Sequence, residues 1–285
     1  MSGSFDLSTQ MIAENGTLLL PAVNDDHEGV IVDMMEPMEA TVFLDALRAS
    51  MAKWKHEGKK GVWIKLPIAL ANLVEIAVKE GFWYHHAEPK YLMLVYWIPE
   101  TLCTIPANAS HRVGVGALIL TEKKEVLVVQ ENSGRFRGTG IWKIPTGVVE
   151  EGEDICVAAV REVKEETGID SEFIEIVAFR QTHKSFFDKS DLFFLCFLRP
   201  LSYSIQKQEL EIEAAQWMPL EEFAAQPFAQ KSGLFKRIVE LCLAKIDENY
   251  AGFSAIPLSS KEESPSLYLN ARDLNQSGPT ASNQP

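Results

Sequence analysis

The sequence predicts an α/β protein built as two units in tandem. Three observations lead there. Stretches with apolar residues at helical spacing alternate with short apolar runs of strand length. A polar, Pro-containing stretch, ETLCTIPANAS at 100–110, separates two such alternations. At 285 residues the chain is long enough for two cores.

In the first unit, residues 1–28 are polar without clear periodicity and are expected to be mobile. GVIVDMM at 29–35 reads as a strand. Phe43, Leu44, Leu47, Met51 and Trp54 fall at helical spacing, so a helix runs from Glu39 to about Lys55. HEGKKG breaks it, VWIKLP at 62–67 is a strand, and 68–79 is a second helix stopped by Gly81. FWYHH and YLMLVYWIP complete a unit over 29–100, with 101–110 as linker. His85 and His86 are adjacent in a strand, so alternation predicts opposite faces and a structural role.

The second unit is expected over 111–250. RVGVGALIL and EVLVVQ are strands joined by the charged turn TEKK. ENSGRFRGTG is a Gly-rich loop, and IWKIP reads as another strand. A helix is placed on 153–167, strands on 172–180, 191–198 and 214–218, and a last helix from about Ser232 to Asp247. Ser, Asn and Pro dominate 259–285, which is expected to be largely disordered.

Bulk composition narrows the function. A hydrophobic share of 46% suits a folded core, and the longest apolar runs are too short to span a bilayer. A net charge of −13 argues against a nucleic-acid partner. An anionic substrate stays open where a divalent cation mediates the contact. Cys103, Cys156, Cys196 and Cys242 are far apart and read as reduced thiols. No secretory or transit signal is read at the N-terminus, so a cytoplasmic location is expected.

The chemistry concentrates in GVVEEGEDICVAAVREVKEETGI, residues 147–169. On a helix, Glu162, Glu165 and Glu166 share one face, while Cys156, Ala159, Val160 and Val163 fall on the neighbouring face. Like charges at this spacing repel, which is expensive unless a cation sits over them. Oxygen ligands alone suit Mg²⁺ or Mn²⁺. Gly147 is read as a tight turn whose carbonyl completes the shell, and Arg161 as a planar fork that aims a carboxylate.

Gly147, Glu153, Arg161, Glu162, Val163, Glu165, Glu166, Gly168 and Ile169 fill the nine defined positions of the Nudix box, G-x5-E-x7-R-E-U-x-E-E-x-G-U, without departure. The stretch therefore resembles the Nudix hydrolases. Resemblance to that family implies an α/β/α sandwich around a mixed sheet and hydrolysis of a nucleoside diphosphate linked to a moiety X. It implies Glu162 and Glu166 as principal metal ligands, Glu165 as a further ligand directly or through water, and the Gly147 carbonyl beside them. Arg161 would orient the carboxylates, and Glu153 would have a structural or helper role. Family members often take a general base from a loop outside the box. QELEIEAAQWMP offers Glu209, Glu211 and Glu213, and the offset from Trp217 favours Glu211.

Runs such as EGFWYHHAEPKYLMLVYWIP, IPANASHRVG and EIEAAQWMP also resemble the plant cytosolic Nudix hydrolases of the ADP-ribose and NADH branch. Their vertebrate relative is encoded antisense to a fibroblast growth factor. This closer resemblance implies ADP-ribose first and NADH second as substrates, a small acetyltransferase-like α/β domain before the Nudix domain, and a homodimer. The run S-Q-P-W-P-F-P is absent. No proline stands some fifteen residues past the box, where Thr182 to Phe186 lie. No coenzyme A signature precedes the box. Coenzyme A, another nucleotide sugar and a non-catalytic nucleotide sensor remain alternatives. Phe186 and Phe187 are read either as an adenine or nicotinamide shelf or as core, and Arg135 and Arg137 either as a diphosphate clamp or as solvated surface.

Overall fold

The computed structural model describes residues 11–12, 18–258 and 266–276. The chain divides into two compact units, Met1–Ala109 and Ser110–Pro285. Residues 1–10 and 13–17 of the expected mobile N-terminus, and 259–265 and 277–285 of the expected tail, lie outside the described residues. Among the described residues no helix is long and apolar enough to cross a membrane.

In the first unit, β1 (Met11–Ile12) pairs with β2 (Leu18–Leu19). β3 (Val23–Asn24), β4 (Val30–Asp33), β5 (Gly61–Pro67), β6 (Trp83–Glu88) and β7 (Tyr91–Trp97) form one sheet in the order β3-β4-β5-β7-β6. Only β4 and β5 run parallel, and α1 (Ala40–His56) connects them. Alternation buries Val30 and Val32, then Val62, Ile64 and Leu66, against Phe43, Leu47 and Trp54 of α1. The predicted helix at 68–79 is a 3₁₀ turn, Ile68–Leu73, followed by α2 (Val74–Lys79).

Two expectations are corrected here. The N-terminal segment is structured at Met11–Ile12 and again from Leu18, where Leu19 and Leu20 are buried and the Leu20 N–H donates to the buried Ser50 hydroxyl. His85 and His86 do not face apart. A bulge shifts the register between Tyr84 and His86, and their Nδ1 atoms lie 2.7 Å apart in a hydrogen bond. His85 Nε2 reaches the Pro106 carbonyl and His86 Nε2 the Tyr91 hydroxyl, so the pair is absorbed in a structural chain of bonds.

In the second unit, β8 (His111–Ile119), β10 (Thr146–Val148), β11 (Ser171–Phe186) and β12 (Lys189–Pro200) form a mixed sheet in the order β10-β8-β12-β11. β8 and β12 are parallel, and the other pairs are antiparallel. β9 (Glu125–Glu131) pairs with β13 (Ile212–Pro219). The helices are α3 (Ile155–Thr167), α4 (Leu220–Ala225), α5 (Pro227–Lys231) and α6 (Gly233–Ile246). Strand alternation sorts them into two layers. Val115, Ala117 and Ile119 of β8 and Leu127 of β9 pack with Ala158, Ala159 and Val163 of α3. Leu118, Val126 and Val128 point the other way and pack with Phe223, Phe235 and Ile238 of α4 and α6. The result is the expected α/β/α sandwich, with α3 fastened along one face.

IWKIP is not a strand; only Lys143 bridges Val129, and the ladder with β8 begins at Thr146. The expected disordered tail is corrected over 266–276. There β15 (Ser266–Leu269) pairs with β14 (Ser254–Pro257), and α7 (Ala271–Gln276) follows. Phe173 of β11 holds the Tyr268 ring edge-on.

Candidate active site

The site forms where α3 crosses β10. Gly147 lies in β10, paired with Val115, and has no left-handed backbone, so it is not the expected turn. Its lack of a side chain matters for another reason: a Cβ there would occupy the space of the Glu162 carboxylate. The last turn of α3 is closed by Gly168 at φ 72° in the left-handed region, where a Cβ would also press on Gln206. Ile169 is fully buried beyond it. These packing positions fix the height and rotation of the helix that carries the carboxylates.

Arg161 is the hub. Its Nε and Nη2 donate to the two Glu153 oxygens at 2.7 and 2.8 Å, a bidentate pair. Nη1 donates to Glu162 Oε1 at 2.9 Å and to Glu165 Oε2 at 3.1 Å, and Nη2 also reaches the Val148 carbonyl at 2.9 Å. One guanidinium thus ties the start of the box, the helix and β10 together. Glu153 is held well below the usual carboxylate range by that pair. The resemblance gave Glu153 a structural or helper role; here that role is to anchor Arg161.

Glu162 and Glu166 line a cleft of about 360 Å³ together with Thr146, Gly147, Glu131 and Glu211. Glu166 is only 6% exposed, and its Oε2 is buried without a hydrogen-bond partner. Burial pushes its carboxyl up to about 8, with Lys143 pulling the other way and the Glu162 charge adding to the rise. Burial also raises Glu162, against the hydrogen bond and charge of Arg161. An orphaned carboxylate oxygen in a polar cleft has the chemistry of a site for a hard cation. Among the described residues no three His, Cys, Asp or Glu side chains already converge as a complete ligand set. Glu162 and Glu166 would supply two oxygens, and backbone carbonyls and water the rest, as Mg²⁺ tolerates.

The expected carbonyl ligand is corrected by the ladder. Ala117 N–H donates to the Pro145 carbonyl and Val149 N–H to the Val113 carbonyl, so odd-numbered residues of β10 turn their peptide groups toward β8. The Gly147 carbonyl points there too. Thr146 and Val148 turn theirs to the open edge; Val148 spends its carbonyl on Arg161, which leaves that of Thr146. Glu165 is 56% exposed at its side chain and does not line the cleft. Of the three loop glutamates, Glu211 lines the cleft, whereas Glu209 pairs with Lys207.

Phe186 and Phe187 are not core. They sit at the tip of the β11–β12 hairpin, Phe187 85% exposed, with their rings edge to face and the Arg112 guanidinium 4.3 Å from the Phe186 ring centre. Arg135 and Arg137 are exposed on the turn after β9 and line no part of the cleft. Sequence reasoning missed Thr146, Glu131 and Lys143. The available signal was the basic residue inside the apolar run IWKIP, which ends at Pro145, two residues before Gly147.

Comparison with known proteins identifies a family. A family model described as Nudix hydrolase domain matches residues 20–98, and one described as NUDIX domain matches residues 110–237. The chain is 57% identical to Nudix hydrolase 2 of Arabidopsis thaliana over 274 residues, covering 96% of this chain and 99% of that one. It is 59% identical over 257 residues to Nudix hydrolase 10 of the same plant, covering 90% and 91%. It is 35% identical over 240 residues to nucleoside diphosphate-linked moiety X motif 6 of Homo sapiens, covering 83% and 73%. With the box, the fold and near end-to-end relatives in agreement, the chain belongs to the Nudix hydrolase family.

Proposed function

We propose that this protein hydrolyses the pyrophosphate bond of ADP-ribose to AMP and ribose 5-phosphate, and that of NADH to AMP and reduced nicotinamide mononucleotide. The observation that carries the reading is the buried, unpartnered Glu166 oxygen beside Glu162 in an open cleft. Nudix hydrolases act on phosphoric anhydride bonds and generally use divalent metal ions. Mg²⁺ or Mn²⁺ held by Glu162, Glu166 and the Thr146 carbonyl would neutralise the diphosphate and acidify a water.

The chain's own residues supply the rest. Arg161 keeps Glu162 aimed by sharing its charge with Glu153 and Glu165. Glu211, which lines the same cleft, takes the proton of the attacking water. In-line attack at one phosphorus breaks its bond to the bridging oxygen, which leaves with the other phosphate. The preference for ADP-ribose and NADH rests on the sequence resemblance to the plant branch. Homodimer assembly and a cytoplasmic location belong to the same reading.

The test is a substrate panel. Protein with ADP-ribose, NADH, coenzyme A and a nucleotide sugar, in Mg²⁺ or Mn²⁺, should release AMP fastest from ADP-ribose. A dominant product from coenzyme A or a nucleotide sugar would replace the substrate assignment. Tight binding without product would make the protein a sensor.

A further inference from the structure

Lys143 lies on the buried side of the cleft. The residue is 7% exposed, its ammonium pairs with a Glu131 oxygen, and its Nζ stands 2.5 Å from the Thr146 hydroxyl. Burying an ammonium is costly unless it is paired, and a mid-segment lysine between Trp142 and Ile144 has no packing reason to be charged. Among the described residues, the one carboxylate it pairs with lines the cleft. Thus Glu131, Glu150, Glu162, Glu166 and Glu211 all border one small volume, and the ammonium is paired with the first of them. Arg161 compensates the cleft from the helix side; Lys143 does so from the sheet side.

From this geometry we infer that Lys143 is a built-in counter-ion and positioning residue: by masking Glu131 it holds down the divalent-cation affinity of the cleft. The inference rests on the metal-dependent reading above. Without Lys143 the cluster gains one uncompensated carboxylate, and a bound cation is held more tightly. Without Glu131 the ammonium is uncompensated and repels the cation. A masked site trades affinity for exchange, because a cation bound too tightly holds the anionic product.

The test measures Mn²⁺ binding to the full, substrate-free chain by electron paramagnetic resonance, beside melting temperature and turnover. Lys143→Met should tighten Mn²⁺ binding by roughly tenfold, the scale of one nearby charge in a partly buried site. Glu131→Gln should weaken it by a similar factor, and the double variant should return near wild type. Lys143→Arg, which keeps the charge, should bind as wild type does. Loss of stability alone, with unchanged Mn²⁺ affinity in both single variants, would overturn the inference and leave the hydrolase reading standing. Should Lys143→Met fail to fold, Glu131→Gln decides the matter by itself, unchanged or tighter binding overturning the inference. A wild-type chain that binds no Mn²⁺ would overturn both.

Discussion

At the scale of single residues, the account turns on charges placed where solvent cannot screen them. Glu166 gives the clearest prediction. Its folded carboxyl titrates at about 8, above its ordinary 4.5. Between those values the metal-free fold binds the proton that the unfolded chain has released. Stability therefore falls as pH rises through that window, and divalent affinity rises with it. Melting the metal-free protein from pH 5 to pH 9 should show the fall, and Glu166→Gln should flatten it. An equal slope in both proteins would assign it elsewhere. Gly147→Ala puts a methyl into the Glu162 carboxylate, so about 1–3 kcal/mol of stability should go, together with most turnover. Retention of both would mean that the close approach is not needed. Phe187→Ala should change the NADH-to-ADP-ribose ratio of kcat/KM with little change in melting temperature, because the ring is exposed. Unequal losses on the two substrates support a shelf; equal losses give the residue to adenine stacking.

At the scale of elements, most of the site was legible because one helix carries it. The 3.6-residue period put Glu162, Glu165 and Glu166 on one face with Val163 beside it; the structure keeps Glu162 and Glu166 at the cleft and Val163 in the core, while Glu165 stands in solvent. The strand beside it was misread for a physical reason. IWKIP has the composition of a strand, but Pro145 lacks an N–H, and the β8 ladder starts after it at Thr146. That displacement, plus the period of two, moved the open-edge carbonyl from Gly147 to Thr146. A bulge likewise overrode simple alternation at His85 and His86. Bulges leave little trace in one sequence, whereas the C-terminal strand β15 was hidden by its polar surroundings. Gly168→Ala tests the stop of α3. It should cost about 1–2 kcal/mol from the left-handed backbone alone, measured by denaturant unfolding. A neutral outcome would mean that the helix end relaxes.

At the scale of the whole molecule, the composition boundary at 100–110 falls at the junction of the two compact units, Ala109 and Ser110. The first unit's own core, with α1 set into Val32, Ile64 and Leu66, needs nothing from the catalytic chemistry. Light scattering of the full chain should give twice the chain mass; a monomer at micromolar concentration would remove dimerisation from the account. The central claim is that the carboxylates of α3, aimed by Arg161 and set against β10, make this chain a pyrophosphatase of ADP-ribose and NADH. Its most direct test is the initial rate of AMP release from ADP-ribose with Mg²⁺ or Mn²⁺, wild type against Glu166→Gln. The account predicts steady release by the wild type and a loss of roughly two to three orders of magnitude in a variant that remains folded. Wild-type rates from the folded variant, or no AMP from the wild type with either metal, would contradict it.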